Sequence, residues 1–187
     1  MSTIMHLIVP AALTMLPTGT PADTIRLFDF GQESAEEWVV VNDGVMGGVS
    51  RGSFVDSDSG YASFQGVMSL DNNGGFASVR HRIAPGAFAG QSNLALRIRG
   101  DGRSYQVRLR IDLAFDGIAY RAEFETVSGE WQTITIPFSH FEPTWRGRRP
   151  AGAPPLSAAE VQQVGLMIAD GNAGPFQIDV EWIRAGD

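Results

Sequence analysis

The chain has 187 residues, 43% hydrophobic and 19% charged, with a formal net charge of −7; this is enough for one self-sufficient core and excludes disordered or collagen-like chains. There is no cysteine, which removes disulfides, thiolate metal sites and a cysteine nucleophile. All 14 basic residues are arginine and there are three histidines, so lysine Schiff-base chemistry is excluded, a histidine-rich metal site is disfavoured, and the net charge disfavours sequence-independent nucleic-acid binding.

Residues 1–22 contain no Asp, Glu, Lys or Arg. The apolar run Ile4 to Leu16 is too short to span a bilayer. It fits the core of a secretory signal, with Thr20-Pro21-Ala22 as a small-residue cleavage point, or equally a disordered tail from an over-long start, with Met5 or Met15 as first residue. A signal implies a periplasmic or secreted protein; otherwise the address is cytoplasmic. In neither case is the mature chain an integral membrane protein. Residues 23–187 are expected to form a single domain.

From there the chain reads as strands. Segments near Ile25–Phe30, Trp38–Val41, Tyr61–Val67 and Ala77–Ile83 are extended. Clear period-two alternation follows in Leu94–Arg99, Tyr105–Asp112 and Tyr120–Thr126. Trp131–Pro137, Val164–Ala169 and the alternating Phe176–Trp182 complete the set. Glycine-bearing turns punctuate them at Gly100-Asp101-Gly102, Asp116-Gly117 and Ser128-Gly129. Ser34-Ala35-Glu36-Glu37 and Ser157-Ala158-Ala159-Glu160 fit capping boxes, each opening one or two helical turns. Many short strands and one or two short helices predict an all-β fold, a jelly-roll β-sandwich.

The polar faces carry the chemistry. If these strands pair in one sheet, Arg80, Arg82, Arg97, Arg99, Arg108, Arg110 and Arg121 share one surface. Guanidinium forks suit carboxylate or phosphate, so this face could receive an acidic partner. The competing reading is a solvated face of cross-strand pairs with Asp112, Glu123 and Glu125, the commoner outcome. Two glycine-rich loops, Asn42–Gly52 and Asp71–Phe76, offer Asn42, Asp43, Met46, Ser50, Arg51, Asn72 and Asn73 as pocket residues, or serve only as tight strand connections. Trp145, Arg146 and Arg148 lie in a proline-bounded loop with the make-up of a binding hot spot. Trp38, Trp131 and Trp182 fall in strands and are expected in the core, as is His81 beside Val79 and Ile83.

Some motif matches fail on context. Gly48-Val49-Ser50-Arg51-Gly52 fits G-x-S-x-G, but the residues that follow look extended and not helical. Asp56-Ser57-Asp58-Ser59-Gly60 resembles a calcium loop, yet its twelfth position is Val67 rather than Glu. No catalytic constellation, metal cluster or cofactor motif emerges.

The stretch Trp38–Gly52, with Asn42-Asp43-Gly44-Val45-Met46-Gly47-Gly48-Val49-Ser50, resembles the complex I intermediate-associated protein family. So do, in order, Asn72–Arg80, Leu96–Tyr105, Trp131–Phe138, Phe141 with Arg146-Gly147-Arg148, and Val164–Ile168 with Gly174-Pro175-Phe176. The resemblance covers about Ile25 to Ala185. It implies a galactose-binding-like jelly roll and a role like that of the mitochondrial relatives, assembly factors for NADH:ubiquinone oxidoreductase. It supplies no catalytic residues. A chain that lacks a transit peptide departs from the mitochondrial pattern. Two functions therefore stand: a non-enzymatic protein-binding assembly scaffold, for which the resemblance implies respiratory-complex subunits as partners, or a lectin-like carbohydrate-binding module of the cell envelope.

Overall fold

Alternating side chains drive strands wherever one face can be buried, and the computed structural model, which describes residues 24–187, places twelve such strands in two antiparallel sheets. They are β1 (Ile25–Asp29), β2 (Val39–Asn42), β3 (Arg51–Ser57), β4 (Tyr61–Met68), β5 (Ala77–Arg82) and β6 (Asn93–Arg99), followed by β7 (Ser104–Arg110), β8 (Ala119–Glu125), β9 (Trp131–Pro137), β10 (Glu142–Thr144), β11 (Gln163–Ile168) and β12 (Gly174–Gly186). The leader expected over residues 1–22 lies outside the described residues.

Sheet A has the order β3-β4-β12-β6-β9, with β1 also paired to β12; sheet B has the order β10-β8-β7-β11-β5-β2. The arrangement is a jelly-roll β-sandwich. Phe64, Leu94, Leu96, Ile98, Ile178 and Val180 of sheet A meet Val79, Val107, Leu109, Val164, Leu166 and Ile168 of sheet B in one buried core. Each such side chain contributes roughly 1.5–3 kcal/mol against leaving it in water. Phe28, Phe30, Trp38, Phe54 and His81 close one end, with ring centroids 4.9–6.1 Å apart. His81 points inward as expected, and its Nε2 lies 3.3 Å from Glu37.

The serine signals open only single 3₁₀ turns, Ala35–Glu37 and Ala158–Glu160. Ser34 Oγ accepts the Glu36 N–H, whereas Ser157 makes no side-chain cap. Strand β10 falls inside the expected loop; it is three residues long and contains Pro143, which suits an edge position.

Two tryptophans depart from the expected core. A β-bulge between Val180 and Trp182 puts one extra residue into β12 where it pairs with β6. Val180 and Ile183 both stay buried, so Trp182 turns to the outer face, where the Arg184 guanidinium stacks 4.1 Å from its ring. Trp131 sits opposite Arg99 on edge strand β9 and packs on the outer face against Tyr61, at 5.7 Å, and Arg99, at 5.0 Å.

Candidate functional site

The single arginine face does not form, because the strands divide between two sheets. Arg97 and Arg99 belong to β6 of sheet A, whereas Arg80, Arg82, Arg108, Arg110 and Arg121 belong to sheet B. On sheet A the arginines do pair with carboxylates, but with Asp179 and Glu181 of β12 and not with Asp112, Glu123 or Glu125. Arg99 donates two hydrogen bonds, of 2.9 and 2.8 Å, to Asp179, a carboxylate 2% exposed that also accepts from Ser63 and Gln177. Arg97 approaches Glu181 at 3.7 Å. Both are engaged on the face opposite to the sheet B arginines.

On sheet B the outer face forms the floor of a cleft of about 670 Å³. Five arginines line it, Arg80, Arg108, Arg110, Arg121 and Arg146, against two carboxylates, Asp116 and Glu123. This basic cleft sits in a chain of net charge −7. Two of its arginines bond carbonyls and two engage carboxylates. Arg80 donates to the Phe115 carbonyl at 3.2 Å and Arg110 to the Gly117 carbonyl at 2.6 Å. Arg108 Nε is buried and has no hydrogen-bond partner among the described residues. Glu123 is shared, accepting from Gln106 at 2.8 Å and lying 3.6 Å from Arg121. Burial, then the charges of Arg110 and Arg121, push the Arg108 guanidinium pKa down to about 10. Burial and neighbouring arginines lower Arg80 as well.

The walls come from loops. Val45 and Met46, each 58% exposed, stand on one side with Asn73 and Phe76. Phe115, 60% exposed, stands on another, and the Arg80 guanidinium lies 4.8 Å from its ring. Arg146, at φ 48°, reaches from the next loop to Asp116 at 2.5 Å, spanning the two rims.

The two glycine-rich loops prove to be one structure, tied by a buried carboxylate. Asp43 is fully buried. It accepts the Ser50 N–H at 2.9 Å, the Ser50 hydroxyl at 2.5 Å, and the Gly75 and Phe76 N–H groups at 2.7 and 3.4 Å. Burial alone would raise its pKa, but these hydrogen bonds outweigh burial and hold the carboxyl below its ordinary value. The glycines follow from this. A Cβ at Gly48 would lie 2.4 Å from the Asp43 carboxyl carbon, and one at Gly74 2.5 Å from its Oδ2. Asp43 and Ser50 are therefore buried, their side chains engaged in holding the loops together. The G-x-S-x-G serine is a strut, 5% exposed, with no helix after it.

Of the residues singled out in the sequence, the cleft gathers Met46, Asn73, Arg80, Arg108, Arg110, Arg121 and Arg146. Arg51, Asn72, Trp145 and Arg148 lie outside its lining, as do Asn42, Asp43 and Ser50. Trp145 is 44% exposed beside it, with Arg146 stacked 4.9 Å from its ring. Sequence reasoning did not single out Val45, Phe115 or Gly165 as site residues. Phe115 carried one usable signal, an aromatic next to an Asp-Gly turn. Among the described residues no group of acidic or histidine side chains could hold a metal, and no described helix is long and apolar enough to cross a membrane.

A family model described as complex I intermediate-associated protein 30 (CIA30) matches residues 28–180. The chain belongs to this family. Among its CIA30 relatives, the mitochondrial complex I intermediate-associated protein 30 of Mus musculus is 28% identical, with 81% of this chain and 52% of that protein covered. Its counterpart in Drosophila melanogaster is also 28% identical, with 87% and 63% covered. The chain thus spans between half and two thirds of these relatives. In three dimensions it is similar to a family 11 carbohydrate-binding module of Clostridium thermocellum, solved with a β-1,3-1,4-mixed-linked tetrasaccharide. The TM-score is 0.64 at 18% identity, covering 89% of this chain and 96% of that one. This likeness shows a shared jelly-roll fold.

Proposed function

We propose that this CIA30 domain is a non-enzymatic protein-binding module that acts as an assembly scaffold and takes its partner on the outer face of sheet B. The observation that carries the reading is the charge imbalance of the cleft. Five arginines meet two carboxylates, and Arg108 Nε has no hydrogen-bond partner among the described residues. Burying uncompensated charge is costly, and a partner bearing carboxylates would offset that cost. The exposed Val45, Met46 and Phe115 supply the apolar contact area that protein interfaces need. The names of the relatives support a respiratory-complex subunit, or a precursor of one, as partner.

The test is recovery of the tagged protein from its own host under mild detergent, with mass spectrometry of what accompanies it. A stoichiometric partner that includes respiratory-complex subunits is the expected result. Its absence, in protein recovered intact, removes the reading.

Carbohydrate binding is the second reading, favoured by the likeness to a module that holds a tetrasaccharide. Neutral sugars stack on open aromatic faces. Of the aromatic rings lining this cleft, exposed Phe115 is partnered by Arg80. A glycan array with hits abolished by changes at Phe115 would support this second reading over the first.

A further inference from the structure

Strand register puts three of the cleft arginines in one line. Gly165 of β11 pairs with Arg80 of β5 on one side and with Arg108 of β7 on the other. Arg108 in turn pairs with Arg121 of β8. The row across the sheet is thus Arg80, Gly165, Arg108, Arg121. Gly165 leaves the floor bare between the first two; a Cβ there would lie 2.5 Å from the Val79 carbonyl oxygen.

The row has a spacing. Adjacent strands lie about 4.8 Å apart, so Arg80 and Arg108 are roughly 9.6 Å apart and Arg108 and Arg121 roughly 4.8 Å. The midpoints of these two gaps are separated by about 7 Å. That matches side chains i and i+2 on one side of an extended peptide, about 6.7 Å apart. A carboxylate at each midpoint would meet two guanidinium groups, relieving the like-charge pairing of Arg108 with Arg121. The residue next to the acidic pair would find Val45 and Met46 or Phe115 at the rims.

We infer that the Arg80–Gly165–Arg108–Arg121 row recognises an extended segment of the partner protein with acidic residues at alternate positions and apolar residues among them. This rests on the protein-binding reading above and names its site and chemistry. Charge complementarity selects this occupant, because the row offers separate guanidinium forks to spaced single charges.

The probe is a fluorescein-labelled peptide of four Glu-Leu repeats, titrated with the full chain and followed by anisotropy. Saturable, salt-weakened binding is expected, with none for four Gln-Leu repeats. Arg108→Gln and Arg121→Gln should each weaken it by about tenfold or more. Arg148→Gln, outside the cleft, should leave it unchanged, and thermal unfolding confirms that each variant is folded. Absence of binding by the wild type, or equal binding by folded Arg108→Gln and Arg121→Gln, overturns the inference. So does tighter binding of polygalacturonate or inorganic phosphate in competition, which would assign the row to a saccharide or a phosphoryl ligand. Host co-purification separates the two levels. A partner retained by the Arg108→Gln/Arg121→Gln protein sinks the row and leaves the scaffold reading standing. No partner for the wild type sinks the scaffold reading itself.

Discussion

Arg108 faces Arg121 in register across the β7–β8 pair, so two like charges stand one strand spacing apart on the floor of the cleft. Directly opposed like charges on a sheet face are destabilising by roughly 0.2–1 kcal/mol. The molecule tolerates this where sheet A does not, since Arg99 there is bound to Asp179. In the proposed reading, this local cost is offset when an acidic partner binds.

The unliganded protein should therefore gain stability when the pair is broken. Arg108→Gln is expected to leave the melting temperature unchanged or raise it by about 2–4 °C. A fall of similar size, measured by calorimetry, would show that Arg108 serves the fold instead.

Asp43→Asn should behave in the opposite way. The amide supplies one acceptor oxygen and a donor group facing N–H donors, so several charge-assisted hydrogen bonds weaken together. A loss of about 3 kcal/mol is expected in denaturant unfolding. Loss below about 1 kcal/mol would mean that the loops hold without the tie.

Acid unfolding follows from two carboxyls held low. Asp43 is held by its Ser50 and backbone hydrogen bonds against burial. Asp170 is held, again against burial, by Arg103, which clasps it at 2.9 and 2.6 Å, and by Asn172. In each case the unfolded chain takes up protons first, near the ordinary value of 3.8. The contribution is thus fully present above that pH and is lost as pH falls toward the lower folded values. Stability should fall below about pH 4, and less steeply in Asp43→Asn. Equal slopes for the two proteins would remove Asp43 from the account.

The bulge in β12 sets apart two tryptophans of similar sequence context. Trp38→Ala, in the closed aromatic end, should cost about 3–5 kcal/mol. Trp182→Ala, on the outer face, should cost less than half of that. Comparable losses in chemical denaturation would place Trp182 in the core after all.

Gly165→Ala should cost about 1–3 kcal/mol, because the added methyl meets the Val79 carbonyl and the Arg80 side chain. It should also weaken the Glu-Leu peptide by filling the floor between Arg80 and Arg108. Full peptide affinity in this variant would show that the ligand does not descend to the sheet.

Much of the fold is legible because period two survives in the sequence. Leu94, Leu96 and Ile98, or Tyr105, Val107 and Leu109, announce both the strand and its buried face. Alternation does not say which sheet a strand joins, so Arg97 and Arg108 looked alike and ended on opposite faces. Nor does it reveal an inserted residue; the β12 bulge moves Trp182 outward with no change in composition. The Asp43 tie was hidden for another reason. Its partners Ser50, Gly75 and Phe76 are 7, 32 and 33 residues away, and the β2–β5 pairing, which sets Asn42 opposite Ala77, brings the last two to it. The cleft was half legible, since its arginines stand out while Gly165 reads as an ordinary position in an apolar strand.

The place of β11 and β12 in the two sheets has a consequence for the newborn chain. β11 lies between β5 and β7, and β12 between β4 and β6, so each fills the middle of a sheet whose flanks are translated earlier. Until residues 163–186 leave the ribosome, those flanks expose unpaired edges open to mispairing. The Arg80–Gly165–Arg108–Arg121 row is also incomplete until then, because β11 is what holds Arg80 and Arg108 at their distance. On the proposed reading, a nascent chain would present no complete row to a partner until β11 has joined its sheet.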